Sequence, residues 1–143
     1  MAYSTTQDVK DRISEDTLVQ LTDTTNSGQV DDTLVQSAIA DADSLIDSLI
    51  SPVYQVPLSS VPRIIKERSA IIAIFKLHLF RSVNPGVWKD AYLGALEFLQ
   101  SVAAGKATLE GSAPEPPATS DLSSNVDFES SDRKFSRDEL KEW

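Results

Sequence analysis

A chain of 143 residues is about one ordinary domain long, enough for a single hydrophobic core. Its 41% hydrophobic and 24% charged residues are globular composition, and the absence of cysteine excludes a disulfide framework, a Cys-based zinc site and thiol redox chemistry. Twenty-two acidic against 13 basic residues give a net charge of −9, which disfavours a protein that grips DNA by neutralising phosphates. The same charge suits a wall past which DNA slides, and equally an ordinary solvated surface.

The first residues lack a basic segment followed by an apolar one, so no signal peptide is expected. The longest apolar stretch, residues 64–80, is broken by Lys66, Glu67, Arg68, Lys76 and His78, so no membrane span or membrane partner is expected either. The reading is a soluble protein made in the cytoplasm.

Ser4 and Gln7 have the S-x-x-Q spacing of a capping box, predicting a short first helix to about Arg12. Ser14, Glu15 and Asp16 then read as a second cap with acids in the first turn, leading into an apolar side built from Leu18 and Leu21, with Val9 and Ile13 before them. Residues 22–28 are a polar turn cluster in which Asp23, Asn26 and Gly28 invite comparison with a calcium loop. The comparison fails because Thr25 and Ser27 stand at the next ligand positions and Leu34 stands where a closing bidentate Glu is needed.

From Asp31 the apolar residues Leu34, Val35, Ala38, Ile39, Ala42, Leu45, Ile46 and Leu49 recur at three- and four-residue steps, the pattern of one helical face. Asp31 or Asp32 caps this helix, and Ser51 with Pro52 ends it. Asp41, Asp43 and Asp47 are assigned to a solvated opposite face. No basic residue falls between Asp31 and Ile50. Paired carboxylates can serve glycoside hydrolysis or metal binding, but no second ligand set, nucleophile–base pair or phosphate loop accompanies these, so no enzymatic activity and no cofactor or metal is expected.

Residues 52–58, with prolines at 52 and 57, form an irregular extended connection. Val61 and Pro62 open a helix to about Ser82 that is apolar around much of its circumference through Ile64, Ile65, Ile71, Ile72, Ile74, Phe75, Leu77 and Leu79, the expected central helix. Its lone His78 reads as an ordinary helix histidine, without the companions that ligation or triad chemistry needs. The polar positions are mainly basic: Arg63, Lys66, Arg68, Lys76 and Arg81 against Glu67. An acidic helix bearing Asp41, Asp43 and Asp47 and a basic helix bearing Arg63, Lys66 and Arg68 can each be solvated, or can face one another across neighbouring subunits and set their register.

Asn84, Pro85 and Gly86 form a turn, and residues 87–104 a further helix with Trp88, Ala91, Tyr92, Ala95, Leu96, Leu99 and Val102 on its core face. Gly105 is its left-handed cap. The fold expected is therefore all-α, a small helical bundle over residues 1–105. Residues 106–143 are an extended C-terminal arm, since 111–132 are rich in Ser, Pro and acids with few apolar side chains. The arm ends differently: Ser136 and Glu139 have capping-box spacing, and Phe135, Leu140 and Trp143, with Arg137 among them, are anchors of a short helix suited to a partner's groove.

These pieces in their order resemble a family of small phage proteins, the Mu-like prophage gene-product thirty-six group. The resemblance is carried by Tyr3, Ser4 and Thr5 with Val9 and Arg12; by Leu21, Thr22 and Asp23 followed by Asp31 or Asp32; and by Ile39, Ala40, Asp41 and Ala42 leading to Ile46 and Asp47. It continues through Tyr54, Val56, Pro57 and Leu58 with Val61 and Pro62, then Ala95, Leu96, Phe98, Leu99, Ala103 and Gly105. It ends in Arg133, Phe135, Ser136, Arg137, Asp138 and Leu140. The resemblance implies a product of the head and head-to-tail gene region. The fold implied is similar to connector proteins that form a ring, commonly of twelve subunits, beneath the portal of long-tailed phages. The partners it implies are further copies of the chain, the portal protein, and a stopper or tail-completion protein, with DNA passing through the channel unbound and the protein retained in the virion. The alternative expectation is a scaffolding or regulatory phage protein that binds a partner through the tail without forming a ring.

Overall fold

The computed structural model describes residues 1–111 and Pro114. Five helices follow in order: α1 (Thr6–Lys10), α2 (Glu15–Thr22), α3 (Asp32–Ile50), α4 (Arg63–Phe80) and α5 (Val87–Ala103), with no strand among the described residues. The fold is an all-α bundle. Residues 112, 113 and 115–143, most of the expected arm and all of its tip, lie outside the described residues.

Local chemistry sets the helix ends. At α1 the cap is Thr5, not Ser4: Thr5 accepts from the Asp8 N–H while the Thr5 N–H donates to the Asp8 carboxylate at 2.7 Å. Ser14 caps α2 and Asp31 caps α3, each accepting from the N–H groups of the first turn. Thr22 Oγ1 donates to the Leu18 carbonyl at 2.8 Å and accepts from the Asp31 N–H at 3.1 Å, tying the end of α2 to the start of α3. Between them the Asp23 carboxylate accepts from the N–H groups of Thr25, Ser27 and Gly28. Those N–H donors, Gly28 first, hold its pKa below the ordinary aspartate value. The polar cluster is thus a loop closed on its own aspartate.

Helix α4 touches all four other helices and is the centre of the bundle. Ile65, Ala70, Ile72, Ala73, Ile74 and Leu77 are buried along it, against Val35, Ile39, Ile46 and Ile50 of α3 and Ala95, Leu99 and Val102 of α5 in one continuous core. His78 is buried, its Nδ1 2.9 Å from the Ile74 carbonyl, as a helix histidine should be. The core continues past Gly105, whose φ of 70° ends α5 with the Lys106 N–H reaching back to the Ser101 carbonyl. Leu109 is buried, and its N–H donates to the Tyr54 hydroxyl at 2.9 Å, so residues 106–109 belong to the packed body rather than to the arm. Among the described residues no helix is long and apolar enough to cross a membrane.

Candidate functional site

Two of the three aspartates assigned to a solvated face are structural. Asp43 is 8% exposed and lies in the apolar stripe of α3, between Ile39 and Ile46. Its carboxylate accepts from the Tyr3 N–H at 2.9 Å and from Ser69 Oγ of α4 at 2.6 Å, while Ser69 is 2.7 Å from Ser4 Oγ. One turn on, Asp47 accepts from the Tyr3 hydroxyl, which in turn accepts from the Leu58 N–H at 3.0 Å. Residues 3 and 4 are thereby pinned between α3, α4 and the extended connection. Asp41 is exposed, as expected.

Burial shapes the electrostatics of this cluster. Loss of water, with the neighbouring negative charge of Asp47, raises the Asp43 pKa, partly offset by the bonds from Ser69 and the Tyr3 N–H. Burial, then the bond to Asp47, pushes the Tyr3 phenol far above the ordinary tyrosine range, so it stays a neutral donor. The cluster closes one wall of a cleft of about 650 Å³ between residues 1–6 and α3, where Met1, Ala2, Ile39 and Pro57 supply apolar surface and Asp43 and Asp47 supply carboxylates.

The basic positions of α4 are also largely engaged within the subunit. Lys66 pairs with Asp8 at 3.3 Å, and Arg63 with Glu67 one turn along at 3.2 Å. The Arg68 guanidinium lies over the Phe98 ring of α5, 5.4 Å from its centroid, with Nε buried and unpartnered. Asp43, Asp47 and Lys66 thus bond and Arg68 stacks inside the chain, and the burial of Asp43 corrects its assignment to a solvated face. Asp41 and Arg63 are the exposed members of that set. The proposed docking residues Phe135, Arg137, Leu140 and Trp143 lie outside the described residues.

A second feature was not expected. The end of α4 and the start of α5 leave apolar side chains in water: Leu79 is 57% exposed, Phe80 59%, Val83 45% and Val87 77%. The all-round apolar pattern of α4 had put Leu79 in the core, but α5 turns away at this corner. Phe75, one turn earlier, is covered, its ring stacked on Tyr92 with centroids 4.1 Å apart. Scattered exposed apolar residues are ordinary, whereas four within nine residues at one corner make a candidate contact surface. Arg81 and Lys89 flank them, the Arg81 Nε donating to the Gln20 carbonyl.

Among known proteins, the chain is 34% identical over 79 residues to gene product J of Escherichia phage Mu, covering 54% of this chain and 56% of that protein. It is 31% identical over 80 residues to the Mu-like prophage FluMu protein gp36 of Haemophilus influenzae, covering 56% of this chain and 55% of that one. The match thus spans about half the length of these relatives. The profile of the family described as Bacteriophage Mu, Gp36 matches residues 3–127, a stretch that takes in the buried Tyr3, the whole bundle and the apolar corner. The chain belongs to this family of phage proteins.

Proposed function

We propose that the protein is a non-catalytic head-to-tail adaptor. Copies of the chain form a ring beneath the portal, line the DNA channel, and hand on to a stopper or tail-completion protein on the other side. The observation that carries this reading is the match of an all-helical chain to a phage family over most of its length, together with the resemblance of its ordered segments to products of the head-to-tail gene region. The rest agrees with it. The bundle has one continuous core in a net-acidic chain, suited to a wall along which DNA slides, and its apolar corner is the kind of surface that assembly covers. Phe135, Leu140 and Trp143, with Arg137, are the anchors for the portal, and the mature virion is where the protein resides.

The test is co-assembly of the full chain with the portal protein of the same phage. The adaptor reading expects a ring-sized species on the portal and its loss when residues 135–143 are removed. A truncated chain that joins the portal as well as the full one would refute the docking role of the tip. A chain absent from mature virions would instead mark it as a transient scaffold.

A further inference from the structure

The apolar corner and the cleft complement each other. The corner presents Phe80, Val83 and Val87 alongside the cations Arg81 and Lys89, with Asp90 the acid nearest in sequence. The cleft is concave and partly apolar, with Asp47 half-buried in its wall, Asp43 buried and bonded by Tyr3 and Ser69, and the Met1 ammonium at its mouth near enough to act on Asp43. Its volume of about 650 Å³ falls in the range of about 300–1,000 Å³ that buries a compact group such as an aromatic with its aliphatic neighbours. Within one chain the two cannot meet: Phe80 lies roughly three turns beyond Ser69, which touches Asp43, so about 16 Å of rigid helix separates them.

We propose that the α4–α5 corner of one copy of this chain seats in the cleft between the N-terminal segment and α3 of the next copy. Phe80 is the central anchor and Val83 and Val87 pack beside it. Arg81 and Lys89 reach the rim of the cleft at Asp47, the half-buried one of its two carboxylates, where opposite charge fixes register. A contact between two different surfaces is heterologous, and repeated it generates a ring when its rotation closes. The inference deepens the adaptor reading and rests on it for that closure, but the contact itself is measurable without the portal.

Two single variants of the full chain test it, followed by mass photometry or sedimentation with and without the portal. Phe80→Glu spoils the corner, and Ala40→Arg, at an exposed position on the α3 side of the cleft, spoils the receiving side. Each variant alone is expected to self-associate at least about 30-fold more weakly than the unaltered chain, the effect of losing a central anchor. Mixed in equal amounts, they retain one intact corner and one intact cleft between them, and are expected to form a dimer and nothing larger. Because the chain has no cysteine, the double variant Ser44→Cys/Val83→Cys provides a readout independent of affinity: oxidation is expected to yield a ladder of covalent oligomers. Loss of association in Phe80→Glu with none in Ala40→Arg would overturn the pairing in favour of a corner-to-corner contact. The absence of cross-links in rings that do form on the portal would overturn it too, while leaving the adaptor reading intact.

Discussion

The two ends of the central helix α4 are built on opposite principles. Near its start, Ser69 takes part in a closed polar network in which the hydroxyls of Tyr3, Ser4 and Ser69, the carboxylates of Asp43 and Asp47, and the N–H groups of Tyr3 and Leu58 partner one another. At its finish, Leu79, Phe80 and Val83 stand in water. A buried polar group left without a partner costs a folded chain about 1–3 kcal/mol, so the first end is committed to holding the subunit together. An exposed apolar side chain costs the monomer little and gives binding energy to whatever covers it, so the second end is free to serve assembly.

Substitutions at the two ends should therefore separate stability from association. Tyr3→Ala removes a buried ring and leaves the Asp47 carboxylate and the Leu58 N–H without their hydroxyl partner, while the residue-3 N–H on Asp43 is kept, and it should cost about 4 kcal/mol or more in denaturant unfolding. Phe80→Glu should leave the unfolding midpoint nearly unchanged. A large loss of stability in Phe80→Glu would show that the corner is core after all. Ser69→Ala, which deprives Asp43 of its hydroxyl donor, should cost about 2 kcal/mol by the same measurement.

The corner itself holds a residue that could be improved. Ser82 ends α4 at a φ of 53°, a left-handed conformation that suits glycine, with the Val83 N–H bonded back to the His78 carbonyl. Ser82→Gly should raise stability by about 1 kcal/mol in thermal unfolding, the only stabilising change expected of these.

The smallest effects are in pH dependence, where two aspartates pull oppositely. The folded state raises the Asp43 pKa above the ordinary 3.8, so this group favours folding fully below that value and the contribution is lost as pH rises through its folded pKa. At Asp8 burial is outweighed by the bonds from Thr5 and the pairing with Lys66, and the pKa is lowered; its contribution is present above 3.8 and lost as pH falls through its folded pKa. Measured between about pH 7 and about pH 3, the unaltered chain should gain stability relative to Asp43→Asn on acidification and lose it relative to Asp8→Asn. Parallel curves would mean that neither environment is as described.

Much of the bundle is legible in the residue pattern because helix faces are local: the spacing of Val35, Ala38, Ile39, Ala42 and Ile46 defines α3, and Gly105 marks the end of α5. What escapes is partnership across the chain. Asp43 sits four residues after Ile39 and three before Ile46, inside the apolar stripe, and Ser69 sits likewise between Ile65 and Ile72. Polar residues at core positions of two helices are the signal of a buried hydrogen-bonded pair, but the groups that complete it, the Tyr3 N–H on Asp43 and the Ser4 hydroxyl on Ser69, come from 40 and 65 residues away and have no local signature. Residue type alone points such acids to solvent, whereas their position in the stripe points inward, and here position prevails for Asp43. The exposed corner escaped for the converse reason, since the apolar pattern of α4 cannot say where α5 stops covering it. Of the proposed functional residues, Asp41 and Arg63 are exposed, Lys66 pairs with Asp8 at the surface, and Asp43, Asp47 and Arg68 are drawn into the subunit's own contacts.

The central claim is that this chain acts by assembling with copies of itself at a portal. Native mass measurement of the full chain mixed with the portal protein of its own phage tests it most directly. The account predicts a single large complex carrying a fixed multiple of this subunit, dissolved by Phe80→Glu or by loss of residues 135–143. A chain that stays monomeric beside an intact portal ring, at any concentration, would contradict it.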